Sequence, residues 1–314
     1  MAKKAVVTGA FSYIGAAVAA ELVSRGYEVS TLTNRRPPPG SRIRAAPLTF
    51  EPRHLRDQLA GADLFVNTYW VRIPYAGESF ENAVENSGVL FDAAVSAHVG
   101  RVVHVSVSNP ASGLNLGYHA GKAKVEARLR SCRLSWGIVR PTLVVGPGDV
   151  LTSNIAWLLR RFPVFPVPDG GRCKLQPVTL ADTARIVAEA AENPTNVEVD
   201  AAGPEAMTFW DYVRAVADAC GLSRLLISVP GWLALGGLSM LEPLLGDVVL
   251  TEEELLGLEQ ELLLSHEPAL GTQSVRHWLQ RNAESLGRTY VNDVRRHFGA
   301  GSDEAVLDPE KLAG

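Results

Sequence analysis

The sequence predicts an α/β fold: a doubly wound parallel sheet followed by a smaller, mainly helical C-terminal lobe. Two observations carry this prediction. In the first half of the 314-residue chain, short apolar runs alternate with helical patterns, which is the rhythm of βαβ units with helices on both faces of a parallel sheet. After Gly146-Pro147-Gly148 the alternation stops and helical patterns dominate.

The first half supplies the strands and helices of the predicted sheet. Short apolar runs predict strands over Ala5–Thr8, Glu28–Thr33, Ile43–Leu48, Asp63–Thr68, Arg101–Ser106 and Ser135–Arg140. Apolar residues at helical spacing predict helices between these strands, over Ile14–Ser24, Pro52–Ala60, Phe80–Ala97 and Tyr118–Arg130. Gly26 closes the first helix, as a glycine just past a helix end commonly does.

The second half has a different texture. Prolines at 163, 166 and 168, followed by Gly170-Gly171, predict a long irregular segment. Beyond it we expect helices over Leu180–Glu192, Thr208–Ala219, Trp232–Leu241, Glu252–Leu263 and Thr272–Leu286. We therefore expect residues 1–148 to form the sheet domain, with 174–203 returning to it. Residues 149–173 and 204–300 would form a lobe that caps the carboxyl edge of the sheet and binds substrate, and 301–314 a flexible tail.

Composition restricts the partners. A formal net charge of −4 offers no basic field, so we expect no nucleic acid partner. The three cysteines share no CxxC spacing and cannot all pair, which predicts a reducing, cytoplasmic location. The histidines show no metal-ligand spacing, so we expect no metal site. Residues 225–241 carry no charge, but prolines and glycines interrupt them; we expect a buried or interface helix pair and no transmembrane segment. The sequence leaves open whether the protein forms a homodimer.

A glycine turn follows the first predicted strand. In Thr8-Gly9-Ala10-Phe11-Ser12-Tyr13-Ile14-Gly15, Gly9 permits a tight turn and Gly15 lets the next helix pack close to the strand. The backbone amides at the start of that helix favour a pyrophosphate, because the helix dipole attracts negative charge there. This strand–turn–helix context predicts dinucleotide binding on a Rossmann-type sheet.

The end of the second strand indicates which dinucleotide is bound. An acidic residue there would bind the ribose 2′-hydroxyl of NAD and repel a 2′-phosphate. The chain instead has Thr33-Asn34-Arg35-Arg36, whose guanidinium groups can hold a phosphate by forked hydrogen bonds. We expect NADP(H), with NAD the less favoured cofactor. A solvated basic loop is the alternative for these arginines.

Tyr118 and Lys122 supply acid–base chemistry. Four residues apart in a predicted helix, they share one helical face. A free phenol has a pKa of about 10, too high for a base near neutrality, but a neighbouring ammonium and the positive nicotinamide ring stabilise the phenolate. Tyr118 can then exchange a proton with a substrate oxygen while hydride moves to or from nicotinamide. An exposed tyrosine beside a solvated lysine is the structural alternative.

Together these features resemble the short-chain dehydrogenase/reductase superfamily, in particular its extended and atypical branch of NAD-dependent epimerases/dehydratases and complex-I-subunit-like proteins. The resemblance covers about residues 3–220. The motifs that carry it are Thr8-Gly9 through Ile14-Gly15, Tyr118-x-x-x-Lys122, Arg140-Pro141-Thr142 with Gly146-Pro147, Gln176-Pro177-Val178 followed by Asp182, and Ala201-Ala202-Gly203-Pro204-Glu205.

The resemblance implies roles for individual residues. Tyr118 would be the acid/base, and Lys122 would hold the nicotinamide ribose and tune the tyrosine. A serine near the end of the fifth strand would hydrogen-bond the reacting carbonyl; Ser108 is the favoured candidate, while Ser106 would lie near the nicotinamide. The expected cofactor-binding residues are Gly9, Phe11, Ser12, Tyr13, Ile14, Asn34, Arg35, Asn67, Thr68, Ser106, Tyr118, Lys122, Pro141 and Thr142.

Two departures from the family pattern bear on function. Ser12 replaces the middle glycine of the turn, so the backbone approaches the phosphates less closely. The loop between the candidate serines and Tyr118 is shorter than in sugar-nucleotide enzymes, which disfavours an epimerase or dehydratase. We expect an NADP(H)-dependent oxidoreductase acting on a carbonyl or alcohol of a mainly apolar small molecule. An epimerase or dehydratase without net redox change and a non-catalytic NADP(H)-binding protein are the alternatives.

The remaining aromatic and titratable residues are expected to have structural roles. We expect His104 to be a packed core histidine and His119 to lie at the rim of the site. Tyr69 and Trp70, after the fourth strand, either wall the pocket or anchor their loop. Large apolar residues of the second half are expected in its interior, in a pocket or at a subunit interface: Trp157, Phe162, Phe165, Trp232, Leu235 and Met240.

Overall fold

The computed structural model describes residues 2–298, and the predicted tail over 301–314 lies outside them. The described strands are β1 (Lys4–Thr8), β2 (Glu28–Leu32), β3 (Arg44–Ala46), β4 (Leu64–Asn67), β5 (Arg101–Val105), β6 (Ser135–Pro141), β7 (Val144–Val145), β8 (Val164–Pro168), β9 (Lys174–Leu175), β10 (Val178–Thr179), β11 (Val197–Ala201), β12 (Met207–Thr208) and β13 (Leu225–Val229). The described helices are α1 (Tyr13–Ser24), α2 (Pro52–Leu59), α3 (Phe80–Ser96), α4 (Gly117–Arg130), α5 (Val150–Arg161), α6 (Leu180–Glu192), α7 (Phe209–Ala219), α8 (Gly231–Ser239), α9 (Glu242–Leu245), α10 (Glu252–Glu259), α11 (Val275–Arg281) and α12 (Asp293–Phe298).

The described residues divide into two compact units. Unit 1 contains the chain up to Pro141 together with Thr183–Ala201. Unit 2 contains Thr142–Asp182 and the described residues from Ala202 onward.

Unit 1 is built on a seven-stranded sheet in the order β11-β6-β5-β4-β1-β2-β3. Every neighbouring pair in it is parallel. The strand order reverses between β1 and β4, which is the switch point at which doubly wound sheets bind ligands. The predicted Rossmann-type sheet is therefore confirmed, and the predicted strands and helices of the first half are all present with small shifts of their ends.

The core of unit 1 explains why its strands are continuous apolar runs. Phe65, Val102 and Ile138 on neighbouring strands are fully buried, because helices cover the sheet and leave no solvated face. Phe91 from α3 and Leu129 from α4 pack into the same cluster. α3 and α4 thus share one apolar core with β4, β5 and β6.

Unit 2 has its own apolar core. The fully buried Tyr212 of α7 lies in a cluster with Leu159 of α5 and Leu279 of α11. Short two-stranded sheets, including the parallel pair of β8 and β13, complete the unit. The predicted helical character of this region is confirmed.

The expectation of an irregular segment is wrong over 164–168, where β8 forms, and α5, which precedes it, was not predicted. Asp149 begins α5 by accepting a hydrogen bond from Thr152 N at 2.6 Å, a cap that the proline-rich sequence after it obscures. β8 accommodates its prolines because it belongs to a two-stranded sheet, in which a strand has an open edge.

Two predicted helices are shorter than expected. α10 ends at Glu259 rather than Leu263, because Glu261 takes a left-handed φ of 54° that an α-helix cannot contain. α11 begins at Val275 rather than Thr272, since the Ser274 side chain accepts from the backbone N–H of His277 and caps it there. It also ends earlier, at Arg281.

Residues 225–241 contain β13 and α8, so the expected buried or interface helix pair is wrong over 225–229, where a strand forms. α8 is apolar around most of its circumference, so packing one side leaves large apolar side chains in solvent. Trp232 is 73% exposed and Met240 80% exposed, so neither lies in the core of its unit, and the alternative of a subunit interface stays a prediction. Phe162 is also exposed, whereas Phe165 is buried as expected.

Within residues 2–298, none of the helices combines the length and the hydrophobicity needed to cross a bilayer.

Candidate active site

The glycine turn between β1 and α1 has a conformation that requires its glycines. Gly9 has a φ of +67°, in the left-handed region that favours glycine. A Cβ on Gly15 would lie 2.1 Å from the Gly9 carbonyl oxygen, so only glycine lets α1 start this close to the end of β1. Ser12 is the N-cap residue of α1, and its hydroxyl donates to the same Gly9 oxygen at 2.6 Å. The serine at the middle-glycine position therefore braces the turn.

The neighbouring residues of the turn differ in what they can present to a ligand. Phe11 is fully buried, so its side chain belongs to the core and its backbone alone can face a bound group. Tyr13 and Ile14, in the first turn of α1, are half-buried. Their roles in cofactor binding stay predictions.

Thr8 joins the two strands at the switch point. Its hydroxyl oxygen accepts from Thr68 N at 2.7 Å and from Tyr69 N at 3.1 Å, while the Thr68 hydroxyl donates to the Thr8 carbonyl at 2.5 Å. Asn67 is fully buried, and its side-chain oxygen also accepts from Tyr69 N. This network fixes the carboxyl ends of β1 and β4 where Asn67 and Thr68 are predicted to line the cofactor.

The basic loop after β2 is held at its base. The Asn34 side chain accepts from Leu48 N at 3.0 Å and donates to Leu48 O at 3.1 Å. The Arg35 backbone N–H donates to the Thr33 hydroxyl at 3.1 Å. Arg36 is exposed and Arg35 half-buried. The Asn34 amide thus has a structural use, and its predicted contact with cofactor stays a prediction.

α4 carries the predicted catalytic pair. Tyr118 lies in its first turn and is half-buried, and Lys122, one turn later, is only 3% exposed. The Lys122 ammonium donates to the Val105 carbonyl at 2.9 Å. Because Val105 ends β5, the ammonium lies at the carboxyl end of the sheet, where open α/β sheets bind ligands. Lys122 is therefore not a solvated surface lysine.

Burial sets the charge state of Lys122. Desolvation lowers its pKa from 10.5 to about 7, and the Glu126 carboxylate opposes that shift. A lysine with a pKa this low gains and loses its proton near neutrality, as groups in acid–base sites commonly do.

Aromatic side chains surround Tyr118. The rings of Trp70 and Phe80 each lie 5.9 Å from the Tyr118 ring, edge to face. Trp70 and Phe80 stack on each other at 6.2 Å, and the Lys122 Nζ lies 4.6 Å from the centroid of Trp70. These contacts agree with both alternatives for Trp70, a wall of the site and an anchor for its own segment.

Both candidate serines lie just beyond β5. The Ser106 and Ser108 backbone N–H groups donate to Val139 O at 2.7 Å and Pro141 O at 2.9 Å, which extends the pairing with β6. Ser108 is fully buried. The Ser106 hydroxyl is buried too, and no partner for it is found among residues 2–298.

An ion-pair network anchors α4 to the sheet. Glu126, 1% exposed, accepts two hydrogen bonds from Arg140 of β6, at 2.8 and 2.6 Å. Glu198 of β11 also pairs with Arg140 at 2.6 Å. These contacts raise the pKa of Arg140 further above its ordinary value. The arginine of the Arg140-Pro141 motif thus holds the helix that carries Tyr118 and Lys122.

Two histidines lie near the pair. His104 is fully buried on β5, with Nδ1 at 3.3 Å from the Asn67 side-chain nitrogen, which confirms the prediction of a packed core histidine. Burial, together with the nearby Lys122 charge, holds the pKa of His104 well below its usual range. His119 is 8% exposed and not a rim residue, because the buried arc of α4 is wider than one face and includes Gly121 as well.

Pro141 and Thr142 lie where the chain passes from one unit to the next. Pro141 is the last residue of β6 in unit 1. Thr142 belongs to unit 2, is 6% exposed, and donates its hydroxyl to Gln176 O at 2.5 Å. The predicted cofactor contacts of both residues stay predictions.

Unit 1 fits a nicotinamide dinucleotide. The close approach of α1 to β1 that Gly9 and Gly15 allow puts a helix N-terminus at the end of β1, and the backbone N–H groups of such a terminus can bind a pyrophosphate. The buried Ser106 hydroxyl, which has no partner in the described part of the chain, is a polar group that a bound ribose or nicotinamide could satisfy. In residues 2–298 no group of His, Cys, Asp and Glu side chains is arranged to hold a metal ion.

A family model described as the NAD dependent epimerase/dehydratase family matches residues 5–201. The chain belongs to this family. Membership in the epimerase/dehydratase family agrees with the resemblance drawn from the glycine turn and the tyrosine–lysine pair, and it indicates a nicotinamide-dependent enzyme.

Two curated relatives are similar to this epimerase/dehydratase family member. An uncharacterized protein of Mycobacterium tuberculosis (strain ATCC 25618 / H37Rv) is 26% identical over 230 residues, which is 71% of this chain and 24% of the relative. The chain thus spans about a quarter of the length of that relative. A ceramide reductase of Caulobacter vibrioides (strain NA1000 / CB15N) is 25% identical over 231 residues, covering 71% of this chain and 73% of the relative.

A solved structure supports the fold. The NADPH-dependent quinone oxidoreductase of Escherichia coli, determined with NADPH, has a TM-score of 0.73 at 15% identity, over 90% of this chain and 99% of that chain. At that identity the likeness shows the fold alone: a Rossmann-type sheet followed by a helical C-terminal region.

Sequence reasoning missed several residues of this site. Thr8 was identified only as part of the glycine motif, although its hydroxyl organises the switch point. Trp70 was left undecided, and Gly121 was not noticed. For Gly121 a weak signal was available, because a glycine inside a helix, here between Tyr118 and Lys122, marks a place where another group packs closely.

Proposed function

We propose that this protein is an NADP(H)-dependent oxidoreductase of the short-chain dehydrogenase/reductase type, which interconverts a ketone or aldehyde and an alcohol on a mainly apolar small molecule. One observation carries the proposal: Tyr118 and Lys122 lie one turn apart on α4, and the Lys122 ammonium lies at the carboxyl end of β5. Tyr118 is the catalytic acid/base in this proposal, and Ser108 binds the reacting oxygen.

The chain's own residues handle the proton. When bound, the reduced nicotinamide supplies a hydride. In the reductive direction the Tyr118 O–H bond breaks and its proton passes to the substrate oxygen, where a new O–H bond forms as the carbonyl π bond breaks; the carbonyl carbon would take the hydride that a nicotinamide C–H bond gives up. Ser108 donates a hydrogen bond to the same oxygen and orients it. Lys122, as an ammonium, stabilises the phenolate left on Tyr118.

The choice of NADP(H) is supported by the residues after β2. No acid follows β2 there to bind a ribose 2′-hydroxyl; Arg35 and Arg36 stand in its place, and guanidinium groups bind phosphate well. The apolar substrate is supported by the aromatic rings around Tyr118 and by the relative named a ceramide reductase, since ceramide is a lipid. The cysteine thiols, all free, agree with a reducing cytoplasm.

The test is cofactor oxidation with a defined variant. NADPH absorbance should fall when the protein meets ketones and aldehydes of increasing chain length, including long-chain keto lipids. Tyr118→Phe should lower kcat by about 10²–10⁴-fold, the usual contribution of a general acid, and leave NADPH affinity within about threefold. Tyr27→Phe, at the amino end of β2, is the matched control and should retain activity. Full activity in Tyr118→Phe would remove the mechanism.

A second candidate is favoured by the family description, which names epimerases and dehydratases. Such an enzyme returns the hydride to its substrate, so it would convert a nucleotide sugar without consuming added NADPH. A non-catalytic binding protein would instead be stabilised against heat by NADPH, show no turnover, and be indifferent to Tyr118→Phe.

A further inference from the structure

Trp70 packs against both members of the proposed catalytic pair. Its ring lies edge to face with the Tyr118 ring, at 5.9 Å between centroids and 87° between planes. The Lys122 Nζ lies 4.6 Å from the centroid of the same indole, within the range of a cation–π interaction. A single side chain from the segment after β4 therefore contacts both groups that α4 presents.

Gly121 leaves room for that ring. It lies between Tyr118 and Lys122 on α4, and a Cβ at this position would lie 2.8 Å from Trp70 Cη2 and 3.1 Å from Cζ2. Glycine in a helix interior weakens the helix relative to alanine. The chain has the weaker helix former at the one turn where the indole needs the space.

Packing, rather than hydrogen bonding, holds the indole in place. Its Nε1 is buried, and no acceptor for it is found among residues 2–298. A buried donor without an acceptor destabilises the fold. The stack on Phe80, at 6.2 Å and 7° between planes, together with the contacts to Gly121, Tyr118 and Lys122, therefore outweighs that cost.

We propose that Trp70 is a positioning residue of this oxidoreductase: its ring holds the Tyr118 ring and the Lys122 ammonium in one arrangement and keeps water from the ammonium. The inference rests on the function proposed above for Tyr118 and Lys122. Trp70 lies outside the motifs that carry the family resemblance.

The surroundings of Lys122 give the consequence of removing the ring. Glu126, on its own helix, favours the ammonium; His104, on β5, is kept neutral by burial; Tyr118 shares its helical face. The indole of Trp70 also covers the ammonium. Without it, water solvates the ammonium and the pKa of Lys122 rises toward its ordinary value, because desolvation is the larger cause of its depression.

The experiment compares pH profiles of NADPH-dependent reduction between pH 6 and 10. Trp70→Ala should lower kcat about tenfold at neutral pH, leave NADPH affinity within about threefold, and move the alkaline limb up by about one pH unit. Trp70→Phe should keep most activity and the wild-type limb, since a phenyl ring still covers the ammonium and the indole N–H has no acceptor to lose. Gly121→Ala should move the profile as Trp70→Ala does, because the added Cβ displaces the ring.

Controls separate positioning from general damage. Trp136→Ala removes a half-buried indole from the amino end of β6. The alkaline limb of its pH profile should lie at the same pH as in the wild type, even if stability falls. A Trp70→Ala profile that overlays the wild type overturns the proposal. A Trp70→Phe variant as impaired as Trp70→Ala also overturns it, because an aromatic ring over the ammonium would then fail to preserve the activity.

A second readout needs no turnover. The stability difference between Lys122→Met and its parent should depend on pH, and this dependence should shrink by about half or more when Trp70→Ala is introduced in both. An unchanged dependence overturns the proposal. If the wild type reduces no carbonyl compound, the proposed function fails, while this comparison still decides whether Trp70 shields the Lys122 ammonium.

Discussion

Lys122→Met tests whether the site holds a desolvated ammonium. In the folded protein burial lowers the Lys122 pKa to about 7, against 10.5 for the ordinary side chain. Below pH 7 both folded and unfolded chains carry the proton, and the folded state bears the full cost of burying it. As the pH rises from 7 toward 10.5, the folded state gives up the proton while the unfolded chain keeps it, so stability rises with pH.

The expected magnitude follows from that difference. One pKa unit is about 1.4 kcal/mol, so the full cost below pH 7 is about 5 kcal/mol. Between pH 6 and pH 9 the wild type should gain about 2.5 kcal/mol from Lys122 alone. Lys122→Met keeps an unbranched apolar side chain and removes the charge, so its advantage over the wild type should be largest at pH 6 and shrink by that amount at pH 9.

Urea unfolding of both proteins at pH 6, 7.5 and 9 measures this change, because every other titrating group cancels in the difference. Lys124→Met, at an exposed position two residues along α4, is the matched control, and its difference from the wild type should stay flat. If the wild type and Lys122→Met keep a constant difference within about 0.5 kcal/mol, the ammonium is solvated in the native state and the reasoning about the site is refuted.

Further predictions concern the caps, the turn and the basic loop. Burial raises the pKa of Asp149 to about 6, so the folded protein pays to keep this carboxylate charged above that pH, whereas asparagine caps a helix equally well without a charge. Asp149→Asn should therefore stabilise the protein by up to about 3 kcal/mol above pH 6, and this advantage should disappear as the pH falls toward 4. Thermal unfolding at pH 4 and 7.5 measures the change. Gly15→Ala should weaken NADPH binding by about tenfold or more, since its Cβ meets the Gly9 oxygen, whereas Gly88→Ala in α3, where the nearest atom is 3.8 Å away, should bind normally by titration calorimetry. Arg35→Ser should lose about ten- to a hundredfold in NADPH affinity and little in NADH affinity; equal losses for both cofactors would contradict the assignment of the basic loop.

The parts of the site that lie close together in the chain could be predicted from it. The glycine turn was readable because Gly9 and Gly15 act within one strand–turn–helix unit, and Tyr118 with Lys122 because helical periodicity alone brings them to one face. Asp149 was not identified as a cap, since the proline-rich residues that follow α5 look irregular. Trp232 was expected in an interior, a pocket or a subunit interface because it is apolar. It is exposed and so lies outside the core, since apolar character alone does not say which side of a helix finds a neighbour.

The sequence by itself determined the alternation of strands and helices, the chemistry of the first turn and the spacing of the tyrosine–lysine pair, because local backbone geometry imposes each of them. Tertiary structure alone decided that Lys122 is buried under Trp70 and that Thr8 joins β1 to β4. Both features depend on residues far apart in the chain. The charge of Lys122 depends on which distant residues exclude water from it, and the hydrogen bonds of Thr8 depend on which strand lies beside β1, and no spacing along the chain records either.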